Sequence, residues 1–262
     1  MTADGARVVL VTGAGAGIGR AVADRFAARG DRVALLDVDA GRVTAAAAEL
    51  VGTGADAVAV TADVADPASV SAAFDEVVAR LGRLDVCVSN VGVASSTPLL
   101  DMPDTEWRRV VGTNLDGTFH VLRAAARQMV RQGDGGRICC VTSFAARSAR
   151  RGAGPYSASK AGLEMLARVA CLELAEHRIT VNLVSPGFVD HGRRAGMGEF
   201  VTPEYAAAIA ATIPWGRTAT TADVLPAIEF LCSAEAGYVT GALLSVDGGG
   251  SAGRFALPRN NG

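Results

Sequence analysis

The chain has 262 residues, half of them apolar, with 25 basic side chains against 27 acidic ones for a formal charge of −2. That is enough apolar material for one sizeable core, and a scattered, nearly balanced charge disfavours nucleic acid or an acidic membrane surface as the main partner. Nothing approaches the ~20 uninterrupted apolar residues of a membrane span, and the start, MTADGARVVLVTG, lacks the basic segment and long apolar core of a signal peptide.

Taken in order, RVVLVT (7–12), RVALLD (32–37), AVAVT (57–61), LDVCVSN (84–90), RICCVTS (137–143), ITVNLVS (179–185) and ALLSVD (242–247) read as strands. Several are apolar without alternation, as in strands covered on both faces. Between them lie helical stretches rich in Ala, Arg and Glu, among them AVADRFAARG, DTEWRRVVGTNL and SASKAGLEMLARVACLELAEH. This alternation predicts an α/β fold: one doubly wound domain, a parallel sheet with helices on both faces. No linker or composition shift divides residues 1–250, which are followed by a polar tail over 251–262 where only Phe255 and Leu257 have anything to bury. The segment near 187–217 reads as loop-rich.

After the first strand comes TGAGAGIGRA, with Gly13, Gly15, Gly17 and Gly19 between a strand and a helix. Glycine lets the backbone turn tightly and approach a pyrophosphate, whose charge meets the amides at a helix start. The G-x-G-x-x-G spacing is not met, because Ile18 and Arg20 stand where a third glycine is needed. Asp37 closes the second strand. A carboxylate there accepts hydrogen bonds from adenosine ribose hydroxyls and repels a 2′-phosphate, which favours NAD over NADP. The residues after it, Val38 and Asp39, supply no cation.

Cys87, Cys139, Cys140, Cys171 and Cys232 include no C-x2-C pair. They read as small buried thiols, with no metal expected and a reduced, cytoplasmic setting.

GPYSASKAGLEML (154–166) holds the only lysine of the chain, Lys160; every other basic residue is arginine. It stands four residues after Tyr156, so the two project from one helical face. A phenol, with a pKa of about 10, takes up a proton poorly near neutrality unless a cation favours the phenolate. An ammonium one turn away is expected to lower it into the range of general acid–base catalysis. Arginine would bring a wider fork with a different reach.

TGAGAGIG has the T-G-x3-G-x-G spacing of the short-chain dehydrogenase/reductase family, which the chain resembles along nearly its whole length. SNVG (89–92) resembles the family's N-N-A-G segment, departing from it at Ser89 and Val91. TNLDGTF carries Asn114, TSFAA carries Ser143, YSASK carries Tyr156 and Lys160, VSPGFV carries Pro186 and Gly187, and VTGALLSVDGGG resembles the C-terminal signature.

The resemblance implies a seven-stranded Rossmann-type sheet and nicotinamide-dependent oxidoreduction of a secondary alcohol or ketone, CH-OH chemistry. The catalytic set it implies is Asn114, Ser143, Tyr156 and Lys160. Tyr156 would exchange the hydroxyl proton, Ser143 hold the substrate oxygen, and Asn114 order a water relay toward Lys160. Alone, a Ser at a strand end is a turn or cap residue, and a helical Asn bonds locally to the backbone. The implied cofactor set is Gly13, Gly15, Gly17, Ile18, Gly19, Asp37, Asp63, Val64, Asn90, Gly92, Tyr156, Lys160, Pro186, Gly187, Val189 and His191. Within it Asp63 and Val64 border the adenine, Asn90 the ribose and Val189 the carboxamide, while Lys160 also holds the nicotinamide ribose. His191 departs from the family's threonine; cofactor, substrate and solvent all remain open as its contact.

Substrate walls are expected from the loops near 93–98, 144–154 and 188–217. Arg147, Arg150 and Arg151, with Arg193 and Arg194, suggest an electropositive mouth for an anionic substrate, a carboxylate or a phosphopantetheine-borne acyl group, opposed in the same spans by Asp190 and Glu199. The alternative is a set of solvated arginines. LEMLARVACLEL is apolar around much of its circumference, which suits a helix covered by the sheet and by a second subunit; a homotetramer is expected. Two rival functions stand beside NAD-dependent alcohol oxidation: 3-oxoacyl reduction on a carrier protein, and a nicotinamide-sensing protein without turnover.

Overall fold

The computed structural model describes residues 6–189 and 202–253. Among them seven strands form one parallel sheet: β1 (Val8–Thr12), β2 (Arg32–Asp37), β3 (Ala57–Thr61), β4 (Val86–Ser89), β5 (Gly136–Val141), β6 (Ile179–Pro186) and β7 (Leu243–Val246). Eight helices accompany them: α1 (Gly17–Ala27), α2 (Ala40–Gly52), α3 (Pro67–Leu81), α4 (Asp104–Val111), α5 (Gly117–Gln132), α6 (Gly154–Leu174), α7 (Pro203–Ala210) and α8 (Thr221–Leu231). The sheet order is β3-β2-β1-β4-β5-β6-β7, so the winding direction reverses between β1 and β4. Ligands of such sheets bind beyond the carboxyl ends of the strands at that reversal.

Both faces are dry, which is why the strands read as apolar runs. Val8 and Leu10 of β1, with Cys87 and Cys140, face a core completed by Phe74 and Val77 of α3, Val121 and Met129 of α5, and Leu163 and Ala167 of α6. Val9 and Val11, with Val88 and Cys139, face the opposite core, completed by Val22 and Phe26 of α1, Val43 and Leu50 of α2, and Ile228 of α8. The period of two along a strand thus sends the adjacent thiols Cys139 and Cys140 to opposite sides. All five cysteines are buried and unpaired. Burial pushes the Cys140 thiol up to about 12 and Cys87 well up too, so these thiols fill space and do not react.

Two departures from the sequence reading concern helices. The segment expected to be loop-rich contains α7, a helix the sequence reading did not name. Thr202 caps it by accepting the Tyr205 N–H at 3.2 Å, and Pro203 takes the first turn, where its missing N–H is no loss. Between α4 and α5 the chain makes a single π turn, Gly112–Asp116. No helix among the described residues is long and apolar enough to cross a membrane. The expectations for Asp190, His191, Arg193, Arg194, Glu199 and the tail with Phe255 and Leu257 lie outside the described residues.

Candidate active site

The glycine turn leaves β1 and enters α1 with Gly13 at φ +65° and Gly17 at φ +58°, the left-handed region where side chains are strained. At Gly19 the reason is space: a Cβ would stand 2.2 Å from Gly13 O and 2.6 Å from Asn90 Nδ2. The first residue before α1, Ala16, gives no side-chain cap. Uncapped amides of this kind at a helix start are the groups that can meet an anion.

Asp37 does two jobs at the end of β2. Its Oδ2 accepts the Gly15 N–H at 2.9 Å and its Oδ1 accepts the Asp39 N–H at 3.0 Å, so the carboxylate is fixed against the turn. A Cβ on Gly15 would lie 3.0 Å from that oxygen and 3.0 Å from Arg42 Cβ. Arg42, in the first turn of α2, therefore brings a cation to this corner that the sequence reading missed; its guanidinium is paired with Asp39 at 3.1 Å. The signal was available, since Asp39 caps α2 by accepting the Arg42 N–H and so places position 42 above the turn.

The two residues matched to the adenine are placed differently from each other. Asp63 is exposed, its Oδ1 accepting the Ala65 N–H at 2.9 Å. The Val64 side chain belongs to the core, where a Cβ on Gly117 would meet it at 2.8 Å, and its carbonyl is bonded to His120. Only backbone is left at Val64 to face a nucleotide.

Asn90 and the segment after β4 join the two halves of the site. Asn90 Nδ2 donates to Thr12 O at 3.1 Å and its N–H to Thr12 Oγ1 at 2.9 Å, tying the end of β4 to the start of the glycine turn. Two residues on, a Cβ on Gly92 would stand 3.2 Å from Lys160 Nζ and 3.7 Å from Asn114 Oδ1. Asn114 lies in the π turn and is fully buried. The extra residue in a π turn re-aims a side chain out of the helical ladder. Here Asn114 Oδ1 accepts the Val93 N–H at 2.8 Å, and Nδ2 donates to Val93 O at 2.9 Å and Ser159 Oγ at 3.1 Å. Its side-chain bonds go to the distant segment at Val93 and to α6, not to its own turn.

Ser143 follows β5 by two residues, buried, its Oγ accepting the Ala145 N–H at 3.2 Å as the cap of a one-turn 3-10 helix. It is a cap residue and it also faces Tyr156. Burial raises the Tyr156 phenol above its ordinary value, while Ser143 and then Arg150 pull it back down.

The lysine is placed as follows. Lys160 shares a face of α6 with Tyr156, but its ammonium turns inward and donates to Val141 O at 2.9 Å. A four-carbon stem on a buried stretch reaches that carbonyl, and the groups that oppose the burial of the phenol are Ser143 and Arg150. Burial lowers Lys160 to about 8, against a smaller opposing effect of Cys140.

Beyond β6, Gly187 N donates to Val246 O at 2.9 Å, and a Cβ on Gly187 would lie 2.9 Å from Asp247 Cα. Val189 bridges to Ala219. A cavity of about 360 Å³ opens here between Phe188, Trp215, Arg217 and Ser245, on the side where the loop after β6 was expected to wall the substrate.

Known proteins match this arrangement across its length. The family model described as enoyl-(acyl carrier protein) reductase matches residues 13–251. The 3-oxoacyl-[acyl-carrier-protein] reductase FabG of Escherichia coli (strain K12) is 35% identical over 243 residues, 93% of this chain and 96% of that protein. Among solved structures, a short-chain type dehydrogenase/reductase from Mycobacterium marinum superposes with a TM-score of 0.87 at 34% identity, covering 94% of this chain and 96% of that one. A gluconate 5-dehydrogenase from Burkholderia cenocepacia J2315, in complex with NADP and tartrate, does so with 0.87 at 32% identity and the same coverage. With the sheet order, the glycine turn and the Ser143, Tyr156 and Lys160 positions already in place, the chain belongs to the short-chain dehydrogenase/reductase family of oxidoreductases.

Proposed function

We propose that this oxidoreductase interconverts a secondary alcohol and a ketone with NAD, using Tyr156 as the proton-transfer group. One observation carries the reading: residues 90–93 bind the glycine turn at one end and lie against Lys160 and Asn114 at the other. A dinucleotide held over the turn would supply or accept hydride at its nicotinamide. The protein's own part is proton handling. The Tyr156 hydroxyl takes the alcohol proton on oxidation and returns it on reduction. Ser143 orients the substrate oxygen by a hydrogen bond, and Lys160 and Asn114 lie deeper, where they pass protons toward solvent and hold the ribose.

NAD is favoured by the Asp37 carboxylate, whose fixed negative charge would face a 2′-phosphate. The second reading, reduction of a 3-oxoacyl group with NADPH, is supported by the FabG relative, by the NADP in the gluconate 5-dehydrogenase and by Arg42 at the same corner. For the assembly we take a homotetramer, with Met165, Val169 and Leu172 forming an exposed stripe on α6 that suits a second copy.

Steady-state kinetics over cyclic, steroidal, sugar and hydroxy-acid alcohols, with light scattering on the same preparation, tests all three. The account predicts a higher kcat/KM with NAD and a mass of four chains. Equal or better kinetics with NADP would show that Arg42 leaves Asp39 and outweighs Asp37.

A further inference from the structure

Ser143 stands in a short turn, and one buried carboxylate holds both ends of it. At the near end, Thr142 Oγ1 donates to Glu164 Oε1 at 3.2 Å, the shorter of two contacts, the other being Lys160 O at 3.4 Å. At the far end, Arg147 Nε lies 3.6 Å from the same Oε1, an ion-pair distance rather than a hydrogen bond. Between them the chain closes on itself. Ser143 Oγ accepts the Ala145 N–H at 3.2 Å, Ser143 O the Ala146 N–H at 3.0 Å, and Phe144 O the Arg147 N–H at 3.0 Å. These bonds set the shape of the turn. Those to Glu164 set where it stands relative to α6.

Glu164 is delivered there by the helix. It lies one turn beyond Lys160 and two beyond Tyr156, on the same face. Lys160 Nζ holds Val141 O at 2.9 Å and Glu164 holds Thr142, so consecutive residues at the end of β5 are bonded to successive turns of α6. A buried glutamate is rare unless paired, and its company shows what it does. Of the other buried carboxylates among the described residues, Asp31 pairs with Arg7 at the opposite end of the sheet, and Asp247 accepts the N–H groups of Gly249 and Ser251 in its own turn. Glu164 instead joins two pieces of chain that lie on either side of Ser143. Arg147 carries the connection further, its Nη2 donating to Ser185 Oγ at 2.9 Å and, more weakly, to Ser245 Oγ at 3.4 Å. The guanidinium therefore spans α6 and the ends of β6 and β7, next to Pro186 and Val246.

We propose that Glu164 is a positioning residue for the reaction: by holding Thr142 and Arg147 at once, it fixes the turn that presents Ser143 to the substrate oxygen. The proposal rests on the oxidoreductase reading above, in which Ser143 orients that oxygen. A hydroxyl with that task tolerates little drift, because a displacement of about 1 Å caused by a distant change can cost about 10²-fold in rate.

The test removes the clasp by degrees. Glu164→Gln keeps an oxygen for Thr142 and loses the charge that faces Arg147, whereas Glu164→Leu loses both. Thr142→Val removes the hydroxyl and Thr142→Ser keeps it. Arg7→Gln, which breaks the Arg7–Asp31 pair at 3.0 and 2.9 Å far from the site, is the control for lost stability alone. Each protein is assayed for kcat and KM over cyclic, steroidal, sugar and hydroxy-acid alcohols, for NAD affinity, and for amide hydrogen exchange at Ala145, Ala146 and Arg147 against Ile138 and Cys139 of β5. In Glu164→Leu we expect kcat to fall by about tenfold to 10²-fold, with smaller falls in Glu164→Gln and Thr142→Val, and with the Kd for NAD within a few fold throughout. Thr142→Ser recovers the natural kcat. The turn amides exchange faster in the impaired variants while those of β5 keep their rates, the signature of a local release. Arg7→Gln melts lower and keeps its kcat. If Glu164→Leu does not fold, Glu164→Gln and Thr142→Val carry the test. Natural kcat in those two, with or without faster exchange of the turn, would overturn the proposal, as would an equal loss of kcat in Arg7→Gln. Either result in an active protein leaves the oxidoreductase reading standing, whereas no oxidation of any alcohol by the natural protein with either nucleotide would sink both.

Discussion

The β1–β2 half of the site is built from backbone and the β4–β6 half from buried side chains. In the first, what matters is missing: Gly13, Gly15 and Gly19 are bare because a Cβ would strike Asn90, Asp37 and Arg42, or Gly13 O. In the second, Asn114, Ser143, Ser159 and Lys160 are polar groups kept almost out of water, each with a named partner. Under the function proposed above, the difference follows from what each half would hold. A pyrophosphate is met by amides in a helix start, which need only room. Proton transfer needs groups whose acidity is set by burial and by one or two neighbours. Substitutions in the two halves should therefore fail in different ways.

Gly19→Ala is the sharpest way to break the first half. The new methyl must displace Gly13 O or Asn90 Nδ2, so we expect a loss of about 1–3 kcal/mol from overpacking and NAD titrations that no longer saturate. Thermal melts and binding isotherms read both. An alanine protein that bound NAD normally would mean that the turn does not form the cradle.

Asn114→Ala breaks the second half and the join between the two. It strands the Val93 N–H and C=O and one Ser159 bond. A buried group left unsatisfied costs about 1–3 kcal/mol. Turnover should drop with stability while NAD affinity changes less than in Gly19→Ala, a contrast seen by running kinetics and isotherms together.

Lys160→Met has the smallest effect on the fold, and of opposite sign. Burial holds Lys160 near 8, below its ordinary 10.5. The folded protein thus binds its proton less tightly than the unfolded chain does. The resulting destabilisation is fully present below pH 8 and is relieved as pH rises from about 8 to 10.5. Methionine removes the buried amine. The variant should be inactive yet melt higher than the natural protein at pH 7, with the gap narrowing toward pH 10. A gap that widened would contradict the sign.

Much of this was legible in the sequence. Each of the seven strands falls within two residues of its predicted span, because strands dry on both faces leave continuous apolar runs. The Tyr156–Lys160 pair was legible from helical spacing and from the one lysine in an arginine-rich chain. What spacing does not carry is the direction a long stem takes after its Cβ: Lys160 lies on the predicted face and its ammonium bonds Val141 O. Likewise Arg42 is distant from the glycine turn in sequence and above it in the fold. Of the loop arginines, Arg147 looked like Arg150 until Glu164, seventeen positions on, was seen to claim it. The π turn at Asn114 has no composition signal at all, since its cause is the partner loop at Val93.

The central claim is that the Tyr156 hydroxyl exchanges the substrate proton beside a bound nicotinamide. The most direct measurement is turnover of Tyr156→Phe with NAD binding followed on the same sample. The account predicts turnover down by about 10²- to 10⁴-fold with the Kd for NAD within a few fold of the natural protein's. A phenylalanine protein that turns over at the natural rate would contradict it.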